Sequence, residues 1–494
     1  MTLHLSAVLG ALPGRSDDDA VLRFGDAVWT LRELRTRGDR LAAALRARGV
    51  GPGDRVAFHD TTSPHTFVAL RAVTHLGAVL VPLNWRLTPT GLAELIADCD
   101  ARVVLAGPGA PHALPGAVAL DDLVAEAGAD PGPVVGGPDD VAVQMYSSGT
   151  TGVPKGVLLT HRNLLGKFVG RPSVWGVGPG DVVLATMPYF HIGGLGWALA
   201  GLVHGAVVVA GPALGPAETA EQVRRTGVTH AFWVPAVLVA LLDAGVDLAM
   251  PDLRVVVYGA APLERSVLDV ALMVLDCDLV QGYGLTETTG QVLSLSAEDH
   301  RRWAGAPGPL PTGRPDPGVE VRIRPLPGDG ATAPDGIGEI EIRGEQVTPG
   351  YWRLPDARPV DEDGWLRTGD CGRSDDDGYV WVVDRIKDLI ISGGENITPA
   401  EIEAVLDEHP MVRECCVVAR ASRRWGEVPL AVVVPVDHAQ ADADTLLAHC
   451  AARLPAFRRP AAVEFAGELP RNAIGKVLKN EVRRRFAGAD GGAR

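Results

Sequence analysis

A chain of 494 residues is too long for one ordinary domain and can bury a large core. Its 46% hydrophobic and 22% charged residues exclude bulk disorder, and a net charge of −15 excludes nucleic acid as a general partner, because phosphate backbones demand a basic footprint. Any phosphate site must therefore be local. The six cysteines, Cys99, Cys277, Cys371, Cys415, Cys416 and Cys450, show neither CxxC nor His-paired spacing, so neither a zinc site nor a disulfide framework is expected, and a reducing cytoplasm fits.

Leu3 to Leu12 is apolar, but no Lys or Arg precedes it and Pro13-Gly14 ends it early, so a first amphipathic helix is expected rather than an export signal. From Val21 to about Asp139, strand-like stretches such as Arg55 to Phe58 and Ala78 to Val81 alternate with helix-like ones such as Leu31 to Arg48 and Thr90 to Asp98. That alternation is an α/β pattern.

Tyr146-Ser147-Ser148-Gly149-Thr150-Thr151-Gly152-Val153-Pro154-Lys155-Gly156 follows, a run suited to holding phosphates. Gly149 and Gly152 let backbone N–H groups approach an anion, Ser147, Ser148, Thr150 and Thr151 add hydroxyl donors, and Lys155 supplies a cation. It is not a Walker A loop, because Pro154 stands where that pattern requires glycine and Gly156 follows the lysine. The apolar flanks Val141 to Met145 and Val157 to Leu159 have strand length, so the loop is expected to join two strands; a flexible linker would have no reason to stand there.

The α/β rhythm continues through Val182 to Leu184, His230 to Val234 and Arg254 to Val257. Gly193 to Gly215 is uncharged and long enough to span a bilayer, yet its glycines and His204 divide it into a helix-like Leu195 to Val203 and a strand-like Ala206 to Ala210, so no membrane span is expected. After Pro307 short alternating runs, Glu320 to Ile323 and Gly338 to Arg343, read as a β subdomain. Thr398-Pro399-Ala400-Glu401 predicts a capping box opening a helix that stops at Pro410, within a compact α/β tail. Residues 450–494 hold ten Lys or Arg against four Asp or Glu, explained by a solvated helix face or, alternatively, a phosphate-facing surface.

Five further stretches accompany the phosphate run: Pro188 to His191, Tyr258-Gly259-Ala260-Ala261-Pro262, Gln281-Gly282-Tyr283-Gly284-Leu285-Thr286-Glu287-Thr288, Trp365 to Asp370, and Asp384-Arg385-Ile386-Lys387-Asp388 continuing to Gly394. Near the C-terminus Pro470 to Lys476 presents a lysine on a Gly-containing turn. In this order and over nearly the whole chain, the motifs resemble the adenylate-forming superfamily of acyl- and aryl-CoA synthetases, luciferases and peptide-synthetase adenylation domains. By residue type alone Tyr283 is also a core tyrosine, Asp370 a turn aspartate, Arg385 a salt-bridge partner, His191 a structural histidine and Lys476 an exposed lysine. The resemblance is what assigns their roles.

It implies a large N-terminal α/β domain over residues 1–386, with a β subdomain at about 307–383, and a small mobile C-terminal α+β domain over 387–494 that turns about a hinge at Lys387. It implies that ATP, Mg²⁺ and CoA are used with a small carboxylic acid. Tyr283 would stack on adenine beside the small wall Gly259, Ala260 and Ala261, with Gly284 next to it. Asp370 would accept both ribose hydroxyls, and Arg385 would contact ribose and phosphate. Thr286 would touch the α-phosphate, and Glu287 would bind Mg²⁺, which takes one or two carboxylates with phosphate oxygens and water. Lys476 would bridge the α-phosphate and the substrate carboxylate, His191 would stand at the mouth of the acyl pocket, and Gly394 would let the pantetheine of CoA pass close to the backbone.

Gln281 to Ser296 and Gly259 to Leu263 contain no Lys or Arg, so a second substrate carboxylate has no expected partner there and a monocarboxylic fatty or aromatic acid is expected. Arg424-Trp425-Gly426-Glu427-Val428-Pro429 resembles the C-terminal domains of stand-alone CoA ligases. An acceptor other than CoA, either a carrier protein or nitrite activated to diazotise an aromatic amine, is the alternative. A nucleotide-binding protein without turnover is disfavoured by the joint presence of Glu287, Asp370, Arg385 and Lys476.

Overall fold

The computed structural model describes residues 3–128, 130–147, 154–169, 173–261, 263, 265–303, 309–326, 336–357, 359–392, 395–438, 441–471 and 477–487. Local sequence sets the elements. Thr30 caps the helix Leu31–Ala47 reciprocally, its hydroxyl accepting from the Glu33 N–H while the Glu33 carboxylate accepts from the Thr30 N–H. The apolar stripe Leu31, Leu34, Leu41 and Leu45 then buries one face of that helix. The strands Val79–Pro82 and Val207–Ala210 are buried along their whole length, as parallel strands covered on both faces require.

Two sheets form the larger unit, which comprises Met1–Val321 and Ile342–Arg367. A nine-stranded sheet runs in the order Arg314–Pro315, Gly290–Leu295, Asp278–Leu285, Val255–Gly259, His230–Trp233, Val182–Ala185, Val207–Ala210, Ala20–Phe24, Ala27–Thr30. Its centre is parallel, while the pairings at both ends are antiparallel. A seven-stranded sheet runs Gly350–Tyr351, Lys155–Thr160, Val141–Ser147, Val79–Pro82, Arg55–His59, Ala101–Ala106, Val118–Ala119. The buried helices His65–His75 and Ile192–Val203 contribute Phe67, Leu70, Leu195 and Leu199 to one core shared by both sheets. The expected split of Gly193 to Gly215 into helix and strand is observed, as Ile192–Val203 and Val207–Ala210. Among the described residues no helix is long and apolar enough to cross a membrane.

The smaller unit comprises Arg322–Glu341 and Thr368–Arg494. A four-stranded sheet, Val319–Pro325, Gly338–Gly344, Leu366–Ser374 and Val380–Arg385, forms where β structure is expected, but the alternation does not carry into burial: residues 338–342 are all buried, with Glu341 paired to Arg322 and Arg324. A five-stranded sheet centred on Gly426–Pro435 packs Val417, Ala431 and Val433 against Ile402, Leu406 and Leu446 of the helices Pro399–Asp407 and Ala443–Arg453. The expected capping box at Thr398 is not made. Thr398 precedes the helix without a side-chain hydrogen bond, and Glu401 pairs with Arg458 at 2.9 Å, a charge-assisted contact that outcompetes a neutral cap. The fold is a large N-terminal α/β domain with mixed sheets and a smaller C-terminal α+β domain.

Candidate active site

The phosphate run joins two antiparallel strands, Val141–Ser147 and Lys155–Thr160, with Ser147 opposite Lys155. Ser148, Gly149, Thr150, Thr151 and Gly152 lie outside the described residues. The other side of the Lys155–Thr160 strand pairs with Gly350–Tyr351. Two devices fix that pairing. Asn163, in the short helix His161–Leu165 after the strand, donates to the carbonyls of Glu345 and Val347 at 2.7 and 2.9 Å, and Thr348 donates through its hydroxyl to the Leu158 carbonyl at 2.6 Å. The Thr348 N–H also donates to the Glu287 carbonyl at 2.8 Å, which ties the Glu287 turn to the hairpin.

Lys155 and Glu287 therefore meet around one ring. The Tyr351 hydroxyl donates to Glu287 Oε1 at 3.0 Å, and Lys155 Nζ lies 5.1 Å from the centre of the Tyr351 ring. Burial, reinforced by Glu287, raises the Tyr351 phenol well above its ordinary pKa, so it keeps its proton and acts as the donor. Tyr351 was not among the residues expected from sequence. The signal available was the Gly350-Tyr351-Trp352 pair of adjacent aromatics in a chain only 5% aromatic.

Thr286 opens the short 3₁₀ turn Thr286–Thr288, and Tyr283 and Gly284 end the strand Asp278–Leu285, both half-buried. The strand register shifts between Tyr283 and Gly284, and a Cβ on Gly284 would overlap the Gly290 carbonyl oxygen on the neighbouring strand. Gly259, at the end of Val255–Gly259, is likewise bare because a Cβ would overlap the Gly282 carbonyl oxygen. Ala260 follows with φ +67°, exposed and left-handed, a conformation an alanine holds only at a cost of roughly 1–2 kcal/mol. Gly259, Ala260, Ala261, Tyr283, Gly284 and Thr286 thus lie at the C-terminal ends of adjacent parallel strands, where open α/β sheets place their ligands.

His191 precedes the helix Ile192–Val203. Its Nε2 is buried with no hydrogen-bond partner among the described residues, and burial together with Arg86 pushes its pKa down to about 4, so the ring is neutral at pH 7. Its ring centre is 4.4 Å from that of Phe190, which stands edge-on to Trp85, and Trp85 Nε1 is a second buried atom without a partner.

In the smaller unit Asp370 and Arg385 face each other across paired strands and form an ion pair, Arg385 Nε to Asp370 Oδ1 at 2.5 Å. Asp370 is 3% exposed. Gly369, with φ +71°, supplies the left-handed turn before it. Lys387 is exposed in the 3₁₀ turn Ile386–Asp388. Gly394 and Lys476 lie outside the described residues.

Gln281 to Ser296 has no cation of its own, but the fold delivers one from Lys167, whose ammonium donates to the Thr289 and Gln291 carbonyls at 2.9 and 3.2 Å. These contacts bridge 122 and 124 positions of chain, a separation that no window on the motif could reveal.

Among the described residues the larger unit presents Ser147, the cations Lys155 and Lys167 and the Glu287 carboxylate, and the smaller a carboxylate–guanidinium pair. Glu287 presents hard carboxylate oxygens, one of them engaged by a neutral donor, and among the described residues no group of three or more His, Cys, Asp or Glu side chains could hold a metal. That donor set fits Mg²⁺ shared with phosphate oxygens and water.

Residues 12–352 match the AMP-binding enzyme family and residues 401–476 match the AMP-binding enzyme C-terminal domain. The chain is 39% identical over 486 residues to a fatty acid–[acyl-carrier-protein] ligase of Streptomyces coeruleorubidus, covering 93% of this chain and 92% of that one. It is also 39% identical over 496 residues to a feruloyl-CoA synthase of an Amycolatopsis species, covering 97% and 99%. The crystal structure of ATP-bound MatB from Rhodopseudomonas palustris superposes with a TM-score of 0.87 at 30% identity, covering 99% of both chains.

Proposed function

The chain belongs to the AMP-binding enzyme family, whose members activate acids as adenylates, and from that premise we propose that it is a cytoplasmic, ATP- and Mg²⁺-dependent acid:CoA ligase acting on a monocarboxylic fatty or aromatic acid. In the first half-reaction a carboxylate oxygen of the acid bonds to the α-phosphorus of ATP and pyrophosphate departs with the electron pair of the broken P–O bond. In the second the CoA sulfur bonds to the acyl carbon and AMP departs.

Catalysis in this reading is positioning and charge neutralisation. Ser147, the hydroxyls and glycines of residues 148–152, and Lys155 hold the phosphates. Glu287 holds Mg²⁺, which when bound neutralises phosphate charge. Thr286 contacts the α-phosphate, Tyr283 stacks on the adenine against Gly259, Ala260 and Ala261, and Asp370 with Arg385 takes the ribose. Lys476 joins the two reacting anions, and His191, held neutral, stands at the mouth of the acid pocket. Residues 387–494 turn about Lys387 to replace Lys476 by the Gly394 segment for the second step.

The observation that carries the choice of CoA is the setting of the Trp425-Gly426-Glu427 stretch. Gly426 pairs with Ser392, and the Glu427 carboxylate accepts from the Ile391 N–H at 3.0 Å, so this stretch backs the strand that leads directly into Gly393-Gly394. Trp425 is exposed beside it. A carrier protein as acceptor is the second reading, favoured by the equal identity to a carrier-protein ligase.

Incubation with ATP, Mg²⁺, CoA and a panel of fatty and aromatic acids is expected to give acyl-CoA and AMP in equal amounts. Acid-dependent pyrophosphate release with no consumption of CoA would overturn the choice of acceptor and promote the carrier-protein reading.

A further inference from the structure

Arginine is this chain's ordinary cation: among 46 basic residues the lysines are Lys155, Lys167, Lys387, Lys476 and Lys479 alone. Lys155, Lys387 and Lys476 have the roles proposed above, and Lys479 lies 3.1 Å from Glu403 and 3.6 Å from Asp384. Lys167 has no such role. Its ammonium, with three donors, gives two to the Thr289 and Gln291 carbonyls, and the Phe168 ring lies 5.2 Å away.

The chain bends to make this site. Thr289 takes φ +54°, a left-handed conformation that is strained for a β-branched residue, and Gly290 takes φ +87°. The carbonyls on either side of Gly290 converge on the ammonium. A Cβ on Gly290 would come no nearer than 3.7 Å to either Lys167 Nζ or Ile192 Cγ1, so the bare Cα leaves a gap between them. Ile192 directly follows His191, and Gly290 lies three residues beyond Glu287. The ammonium and the side chain of the residue that follows His191 therefore stand on either side of Gly290, three positions beyond Glu287.

The surrounding charges are already balanced. Asp316 acts on Lys167 through space and is itself bonded to the Ser294 hydroxyl and, at 3.4 Å, to Gln291 Nε2. The Gln291 Oε1 accepts from Trp175 Nε1 at 3.1 Å. Burial lowers the Lys167 pKa to about 8, partly offset by Asp316, so the side chain remains a donor at pH 7. A second carboxylate on the acid would meet Asp316 as well as Lys167, whereas a neutral oxygen meets only an available donor. A purely hydrocarbon end would leave that donor desolvated and unmatched.

We propose that Lys167 is the specificity-determining residue of the acid pocket, donating to an uncharged oxygen (hydroxyl, ether or carbonyl) at the end of the acid remote from the carboxylate being activated. This rests on the ligase reading and names the acids within it that the site prefers.

The test compares kcat/KM for acid-dependent pyrophosphate release with cinnamic and 4-hydroxycinnamic acids and with octanoic, 8-hydroxyoctanoic and suberic acids. Wild-type enzyme is expected to favour the hydroxylated member of at least one pair by about tenfold or more, the scale of a hydrogen bond to a charged group. In Lys167→Met that ratio should fall towards one. A ratio unchanged in the variant, or a wild-type preference for both plain acids, overturns the assignment. Asp316→Asn gives an independent reading if Lys167→Met does not fold: releasing Lys167 from its counter-charge should move preference towards suberic acid by roughly tenfold, and no movement contradicts the proposal. Turnover with unchanged ratios refutes Lys167 alone, whereas pyrophosphate release with no acid at all refutes the ligase reading on which it stands.

Discussion

At the scale of single residues, Tyr351 is placed so that one hydroxyl orders the carboxylate proposed to bind metal. Tyr351→Phe removes a neutral donor to Glu287, worth about 0.5–1.5 kcal/mol, and should raise the Mg²⁺ concentration for half-maximal adenylation by roughly two- to tenfold. An unchanged Mg²⁺ titration would detach Tyr351 from the metal role. Asp370→Ala should weaken ATP and AMP binding by about 1.5–3 kcal/mol, the range for charge-assisted hydrogen bonds, as read by calorimetric titration of the folded variant; unchanged affinity would remove Asp370 from the site. Asp370 and Arg385 became candidates from sequence only through the resemblance carried by the short motifs that hold them. Tyr351 and Lys167 did not. Their partners are fixed by pairing between distant strands, and neither residue carries a local pattern.

At the scale of elements, the two strands that end at the nucleotide motifs approach too closely for side chains. Gly284→Ala would drive a methyl group into the Gly290 carbonyl and force the Asp278–Leu285 and Gly290–Leu295 strands apart. A loss of roughly 1–3 kcal/mol in urea unfolding is expected, together with impaired adenylation, and a variant as stable as wild type would mean that the strands adapt. In the smaller unit Lys479, 20% exposed at its side chain, neutralises Glu403 and Asp384. Burial opposes its charge, yet those carboxylates outweigh burial and raise its pKa. Lys479→Met would leave Glu403, half-buried, with the Val417 N–H but no cation, and should destabilise that unit by roughly 1–3 kcal/mol in denaturant, whereas neutral behaviour would mark the cluster as dispensable. Periodicity and turn residues made the α/β rhythm, the phosphate hairpin and the divided Gly193–Gly215 stretch legible. The cap expected at Thr398 is absent because a distant arginine, Arg458, engages Glu401.

At the scale of the whole molecule, burial of neutral histidines makes stability depend on pH. His4, His59, His161, His230 and His300 are each at most 2% exposed, and burial lowers the pKa of all five, that of His161 to about 3. The unfolded chain therefore binds more protons than the folded one below the ordinary histidine value of about 6.5, and stability falls as the pH drops from 7 towards 5. The carboxyls of buried Asp60 and of half-buried Asp316 and Glu403 have pKa values raised by desolvation and act in the opposite direction, but at lower pH, nearer the carboxylate range. A melting temperature that declines between pH 7 and pH 5.5 is expected, and a flat or rising profile would contradict it.

The account stands on adenylation by this chain, and exchange of labelled pyrophosphate into ATP measures that step alone, independently of the acceptor. With Mg²⁺ and a preferred acid, exchange should be rapid, should vanish when the acid is omitted, and should fall at least about a hundredfold in Lys476→Ala, the scale of losing a transition-state donor. Exchange that proceeds equally without acid, or that is absent across the full acid panel in folded enzyme, would contradict it.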